Sequence, residues 1–228
     1  MLNQEILLKL LSSNSKAYYD LLIDRNFNNA ITSLGQNSIV LDIGANIGNV
    51  SSYIIEKTKS KIYAFEPNNF CFQVMTRRFL DNSRIKIFNV GVSNYTGVSK
   101  FYLHEKSKGI NDFSYLESSS LKSIKDNVSE KNSVKVNVIN ISEILSKFKT
   151  IDLIKIDVEG SEYEIVPFLI SKRQKIKTVL CEFHGNPKKF NYKNPGKIKN
   201  NKFTQNYLDL INQLKEKKLY NNWLYEWH

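Results

Sequence analysis

Two hydrophobic periods alternate along the chain, and the switches between them predict its elements. Residues 2–11 and 16–34 carry apolar groups at helical spacing, closed by Gly35 to Ser38, and form a helical preamble. The short apolar run "SIVLDIGAN" then reads as a buried strand, with helical spacing after it over 47–58. "KIYAFEP" is the next strand, stopped by Pro67, and the helix behind it carries Phe70, Val74 and Phe79. "RIKIFNVGVSN" (84–94) is a third strand and "GVSKFYLH" (97–104) a short fourth. Residues 105–133 lose clean periodicity and are rich in Ser and Lys, so they read as an insertion over the sheet, either an active-site lid or a plain surface loop. Periodicity returns with the strand "VKVNVIN" (134–140) and the short helix "ISEILSKF". "IDLIKID" (151–157) and "KTVLCEFH" (177–184) are buried strands on either side of a helix over 161–172. An amphipathic helix over 204–218 follows, and the alternating aromatics of "LYNNWLYEWH" predict an edge strand.

Strand, helix, strand, helix, strand is the order of a parallel sheet covered on both faces, so the expected class is α/β, Rossmann-like, with a mostly parallel central sheet. The expected division is a helical extension over 1–36 and one domain over 37–228, with 105–133 and 187–202 as substrate-side loops. Ligands of such sheets bind beyond the carboxyl ends of the strands, near the reversal of strand order, so residues at strand ends matter most. "LDIGANIG" is D-x-G-x-x-x-G: small residues let the backbone turn sharply from strand to helix and let a ligand lie against it. Glu66 follows Asp42 by 24 residues and ends the second strand, where a carboxylate can accept from both hydroxyls of a ribose. Asp42, Gly44, Ala45, Asn46, Gly48, Glu66, Pro67, Asn89 and Gly91 are therefore the expected cofactor-binding residues. The alternative is a tight strand-to-helix connection with no ligand. The glycine spacing is not the G-x-G-x-x-G of nicotinamide enzymes, which disfavours an oxidoreductase and favours S-adenosylmethionine, a nucleoside without a pyrophosphate.

Four carboxylates crowd "IDVEGSEYE": Asp157, Glu159, Glu162 and Glu164. Ser161 and Glu164 fit an S-x-x-E capping box and Glu162 suits the positive end of a helix, so those acids are assigned to helix initiation. Asp157 and Glu159 are left for chemistry, and Glu182 and His184 arrive at the end of the late strand. Alternation puts Lys155 on the side of Asp157, where it can neutralise that acid. Two schemes for activating a hydroxyl fit these residues. In one, His184 is the general base and a carboxylate orients it. In the other, Asp157, Glu182 and His184 hold a divalent cation such as Mg²⁺ or Mn²⁺. His104 and His228 are assigned structural roles.

"VLDIGANIGNVS", "IYAFEPN", "NVGVSNYTG", "IDLIKIDVEGSE" and "VLCEFH", in this order, resemble the FkbM family of S-adenosylmethionine-dependent O-methyltransferases over roughly residues 37–184. The resemblance implies a class I methyltransferase fold, S-adenosylmethionine as cofactor, and a hydroxyl acceptor on a sugar, glycan or other natural product. It implies no particular acceptor.

Composition changes this picture in only a few places. The net charge of +11 raises the question of nucleic acid, and a ribose 2′-hydroxyl would also be an alcohol acceptor. Basic residues are nevertheless spread along the whole chain, no nucleic-acid-binding motif appears, and the N-P-P-Y type motif of amine methylation is absent, so nucleic acid is not favoured. A non-catalytic Rossmann-like binding module is the remaining alternative. Two cysteines without metal-ligand spacing predict buried thiols in a reducing cytoplasm. "ILLKLL" near the start lacks a basic leader region and a cleavage site, and no run approaches a membrane span.

Overall fold

The computed structural model describes residues 24–109, 119–123, 128–186 and 202–227. The predicted helix over 2–11, the start of the one over 16–34, residues 110–118 and 124–127 of one expected substrate-side loop, nearly all of the other (187–202) and His228 lie outside the described residues.

Six strands form the central sheet in the order β3-β2-β1-β7-β8-β9. They are β1 (Ile39–Ile43), β2 (Lys61–Phe65), β3 (Ile85–Phe88), β7 (Ile151–Ile156), β8 (Ile176–Cys181) and β9 (Leu224–Glu226), and every neighbouring pair is parallel. The predicted edge strand is thus β9. Strand order reverses between β1 and β7, which places the expected ligand crevice over Gly44 and Asp157.

Helices α1 (Arg25–Thr32), α2 (Asn49–Lys57) and α3 (Asn69–Arg78) cover one face of the sheet. Helices α4 (Ile141–Ser146), α5 (Glu162–Ser171) and α6 (Lys202–Glu216) cover the other. Alternation explains the two layers: Leu41 and Ile43 of β1 belong to the α4–α6 core, and Val40 to the α1–α3 core. The described part of the preamble is built into this core. Asp24 caps α1 by accepting from Phe27 N at 2.8 Å, and the fully buried Phe27 packs on Tyr53 and Trp227.

Three strands form a second sheet that the sequence pattern does not predict, with β6 (Val128–Asn140) between β4 (Gly91–Ser93) and β5 (Gly97–His104). Two expectations change with it. "RIKIFNVGVSN" is two strands, broken at Asn89–Val90 because the Asn89 side chain turns back to donate to Glu66 O and Pro67 O at 2.9 and 3.1 Å. Residues 128–133 are strand rather than insertion, with Ser133 and Val128 opposite Tyr102 and His104 of β5. This half of β6 is half-exposed on both faces, so it carries no alternation to read.

Candidate active site

The side of the crevice over β1 and β2 is built from backbone. Gly44 N and Ala45 N both donate to Phe65 O, at 3.0 and 3.1 Å, which carries the chain across β2 before α2 begins. Gly44, Asn46 and Gly48 all have positive φ, at 77°, 50° and 83°. A Cβ on Gly44 would sit 1.7 Å from Asp157 O, and one on Gly48 would sit 2.6 Å from the Phe79 ring. These glycines are required by the crossing of two loops and by helix packing. Glu66, 6% exposed, joins the loops after β1 and β2: it accepts from Asn46 N at 2.8 Å and Asn68 N at 2.7 Å. Each carboxylate oxygen keeps a further acceptor site. Burial, opposed by those two N–H groups, pushes Glu66 up to about 7.

The other predicted cofactor residues stand behind this lining. Asp42 is fully buried and holds Ser51 Oγ at 2.6 Å, so it reaches the crevice through Lys155 rather than directly. Asn89 pins the backbone of Glu66 and Pro67, while Gly91 lies inside β4, where a Cβ would press on Leu121, Val138 and Pro67. Cys71 Sγ donates to Asn46 Oδ1 at 3.4 Å, and both cysteines are buried free thiols, as expected.

Across the crevice the lining is made of side chains. Lys155 opposes Asp42 in the β1–β7 register and is 2% exposed. Its Nζ donates to Gly44 O at 2.7 Å and lies 3.2 Å from Asp42 Oδ1 and 3.7 Å from Asp157 Oδ2, with the Trp227 ring beneath it. Burial would lower its pKa, but Asp42 and Asp157 outweigh that and raise it. Lys155 thus stands beside Asp157, the partner expected for it, and at closer range beside Asp42.

Asp157 and Glu182 extend the sheet ladder by one step, donating their N–H groups to Ile43 O and Ile156 O at 3.0 and 2.9 Å. Glu159 follows with φ 56°, and Ser120 Oγ holds its carbonyl at 2.5 Å. Its carboxylate lies 2.9 Å from His184 Nε2. Asp157, Glu182 and His184 bring one ligand atom each within 4.8 Å of one another, so the predicted metal trio is assembled. Burial raises Asp157 far above the usual carboxylate range, Lys155 opposes the rise, and Glu182 and Glu159 add to it.

The capping box is not formed. Ser161 occupies the N-cap with no side-chain bond, and Glu164 pairs instead with Lys122. Glu162, assigned above to the helix end, is fully buried and accepts from Gly160 N and His184 N, both at 2.7 Å. Its Oε1 also lies 3.3 Å from His184 Nδ1. No local signal separates such an acid from an ordinary first-turn glutamate, because its partner is 22 residues away. His184 therefore stands between two carboxylates. Burial would lower its pKa, and Glu159 and Glu162 together hold it well above the ordinary value.

A profile of the Methyltransferase FkbM domain matches residues 42–218 of the chain. The chain is 31% identical over 166 residues to Methyltransferase sdnD of Sordaria araneosa, covering 60% of this chain and 62% of that relative's length. Among solved structures it is similar to the methyltransferase FkbM of Methylobacillus flagellatus KT, at 19% identity and a TM-score of 0.39, over 64% of this chain and 34% of the other. No described helix is long and apolar enough to cross a membrane.

Proposed function

Because the chain belongs to the FkbM methyltransferase domain family, we propose that it is an S-adenosylmethionine-dependent O-methyltransferase whose acceptor is a hydroxyl of a sugar or glycan. The observation that carries this reading is a convergence. A small-residue turn with an adjacent buried acid, Gly44 to Gly48 with Glu66, faces a cluster of proton-accepting side chains at one reversal of strand order.

S-adenosylmethionine supplies an electrophilic methyl group on a sulfonium. The Gly44–Gly48 backbone lets a nucleoside lie against it, and the remaining acceptor sites of Glu66 take the ribose hydroxyls. Asp157, Glu159, Glu182 and His184 line the acceptor side, where a hydroxyl must lose its proton as its oxygen attacks in line. His184 Nε2 faces this side, and it takes the acceptor's proton only after its own proton has passed to Glu159, 2.9 Å away. Asp157, Glu182 and His184 also fit a hard divalent cation, since two of the three donors are carboxylates. A bound cation would acidify the acceptor hydroxyl, and His184 would again need to exchange Glu159 for it. Buried free thiols agree with a reducing cytoplasmic setting.

Calorimetric titration with S-adenosylmethionine, with NAD as comparator, tests the cofactor. Saturable binding that NAD does not reproduce, followed by methyl transfer to a sugar hydroxyl in an acceptor screen with and without chelator, is the expected result. A folded protein that binds neither nucleotide would overturn the enzyme reading in favour of a binding module. Methylation confined to RNA, with strongly salt-dependent binding, would replace the sugar acceptor by a ribose.

A further inference from the structure

We propose that the end of the domain opposite the crevice is a membrane-docking face: the turns that lead from helices into strands gather lysines into one surface for anionic phospholipid headgroups. The proposal goes beyond the methyltransferase reading and does not depend on it.

Basic residues are spread along the sequence, and the fold collects them. In a sheet whose neighbouring strands are all parallel, every strand starts at the same end, so every helix-to-strand turn arrives at one face. Lys59 lies between α2 and β2, and Lys147 and Lys149 lie between α4 and β7. Lys172, Arg173 and Lys175 lie between α5 and β8, and Lys217 and Lys218 between α6 and β9. All of these are exposed, and among the described residues no ion pair joins any of them to a carboxylate. Asp81, between α3 and β3, is the one acid in any of the turns. At the other end, the described residues that follow β1, β2, β7 and β8 include Glu66, Asp157, Glu159 and Glu182 and no lysine or arginine. The described charge therefore differs in sign between the two ends of the sheet.

A basic residue at the end of a helix offsets the helix dipole, an effect confined to the last turn. Lys59, Lys149 and Lys175 stand beyond the ends of their helices, so that role does not account for them. The face is also level. Ile39 pairs with Lys61, Ile62 with Ile85, Val40 with Leu153 and Ile151 with Ile176, so β1, β2, β3, β7 and β8 start at nearly the same height. A level face of lysines fits a lipid surface, where each charge gains from a diffuse negative potential without a fixed partner. Leu80, in the turn before β3 and 71% exposed, adds an apolar side chain that a headgroup layer can take up. Nucleic acid fits less well. Arg84, whose planar fork suits a phosphate, is spent on Thr58 O and Ile55 O at 2.6 and 3.1 Å. Tyr63 is covered by Phe148 and Lys86, and Tyr220 by Lys215, so neither ring is free to stack on a base. Docked on this face, the crevice opens away from the lipid and its acceptor arrives from the water.

Co-sedimentation of the full chain with phosphatidylcholine vesicles, with and without phosphatidylglycerol, tests the face. Binding to the anionic vesicles alone, weakened by salt, is the expected result. A variant carrying Lys147→Glu, Lys149→Glu, Lys172→Glu and Lys175→Glu loses about 100-fold or more of that binding. Its two halves, Lys147→Glu with Lys149→Glu and Lys172→Glu with Lys175→Glu, each lose about tenfold and decide the matter should the full set fail to fold. The control carries Lys100→Glu, Lys106→Glu, Lys131→Glu and Lys135→Glu, four exposed lysines on and beside the second sheet. It changes the net charge equally and keeps vesicle binding within about fivefold of the wild type, because charges far from the lipid are screened. No binding to the anionic vesicles, or an equal loss in the variant and the control, would overturn the proposal. Binding of a single-stranded RNA through the same four lysines, with the vesicles left unbound, would also overturn it and give the face to nucleic acid. Vesicle binding needs no cofactor, so a protein that ignores S-adenosylmethionine would sink the function and leave this result to stand by itself.

Discussion

The two walls of the crevice are made differently. The wall over β1 and β2 is backbone folded around one buried carboxylate: the N–H groups of Asn46 and Asn68 donate to Glu66, and those of Gly44 and Ala45 donate to Phe65 O. The wall over β7 and β8 is side chain, with Ser120 Oγ bonded to Glu159 O and Glu162 accepting from His184 N. On the proposed reading the fixed backbone is the side that receives the nucleoside. An acceptor needs proton transfer, which only side chains provide.

The contrast is broken most severely where the walls touch. Gly44 crosses the Asp157 carbonyl with φ 77°, and a Cβ would meet that oxygen at 1.7 Å. Gly44→Ala combines an unfavourable backbone with overpacking against backbone, for a loss on the order of 3–5 kcal/mol in urea unfolding. A variant within about 1 kcal/mol of the wild type would mean that the loops do not cross so closely. Lys155 ranks next, since it is the one side chain that contacts Gly44, Asp42 and Asp157 together among the described residues. Lys155→Met strands the fully buried Asp42 and is expected to cost about 3–5 kcal/mol, part of which Asp42→Asn recovers when added to it. Additive losses in that double-variant cycle would dissolve the pair.

Legibility in the sequence follows the same division. The order of the six central strands' elements, the D-x-G-x-x-x-G turn and Glu66 were readable because each depends on periodicity or on a spacing within one strand-helix-strand unit. Asp157, Glu159, Glu182 and His184 were readable as strand-end residues, and so was the grouping of Asp157, Glu182 and His184, though not the contact of His184 with Glu159 and Glu162. Glu162 was assigned to the helix end because its chemistry is set by burial, which no local pattern encodes. The second sheet escaped for a related reason: the outer half of β6 buries neither face, so no alternation marks it. Asn89, which ends β3, acts through bonds to residues 22 and 23 positions earlier.

Glu66 sharpens the comparison through pH. Its carboxyl lies at about 7 in the folded protein against 4.5 for the free group. A carboxyl raised on folding binds more protons in the native state, so its contribution makes stability fall as pH rises from 4.5 to about 7. The full shift corresponds to about 3 kcal/mol, and urea unfolding at pH 5 and pH 8 reads it as a difference between the wild type and Glu66→Gln. Equal slopes in the two proteins would place Glu66 in a wetter setting than its 6% exposure describes.

The smallest effects belong to the segment that closes the side-chain wall from outside. Residues 119–123 bond to the main chain of Tyr102 in both directions, then offer Ser120 to Glu159 O and Lys122 to Glu164. The two contacts look alike and differ in worth. Ser120 is fully buried and fixes a carbonyl whose residue has φ 56°, so Ser120→Ala removes a buried hydrogen bond from a strained turn. The expected cost is about 1 kcal/mol, with a loss of kcat because Glu159 and His184 lose their relative placement. Lys122 and Glu164 expose 27% and 32% of their side chains, so water replaces either partner and Lys122→Ala costs less than about 0.5 kcal/mol. Measured together, the pair separates two roles for the segment. A kcat effect confined to Ser120→Ala makes it a brace for the catalytic turn, whereas an equal effect of Lys122→Ala would assign Glu164 a direct part in the chemistry.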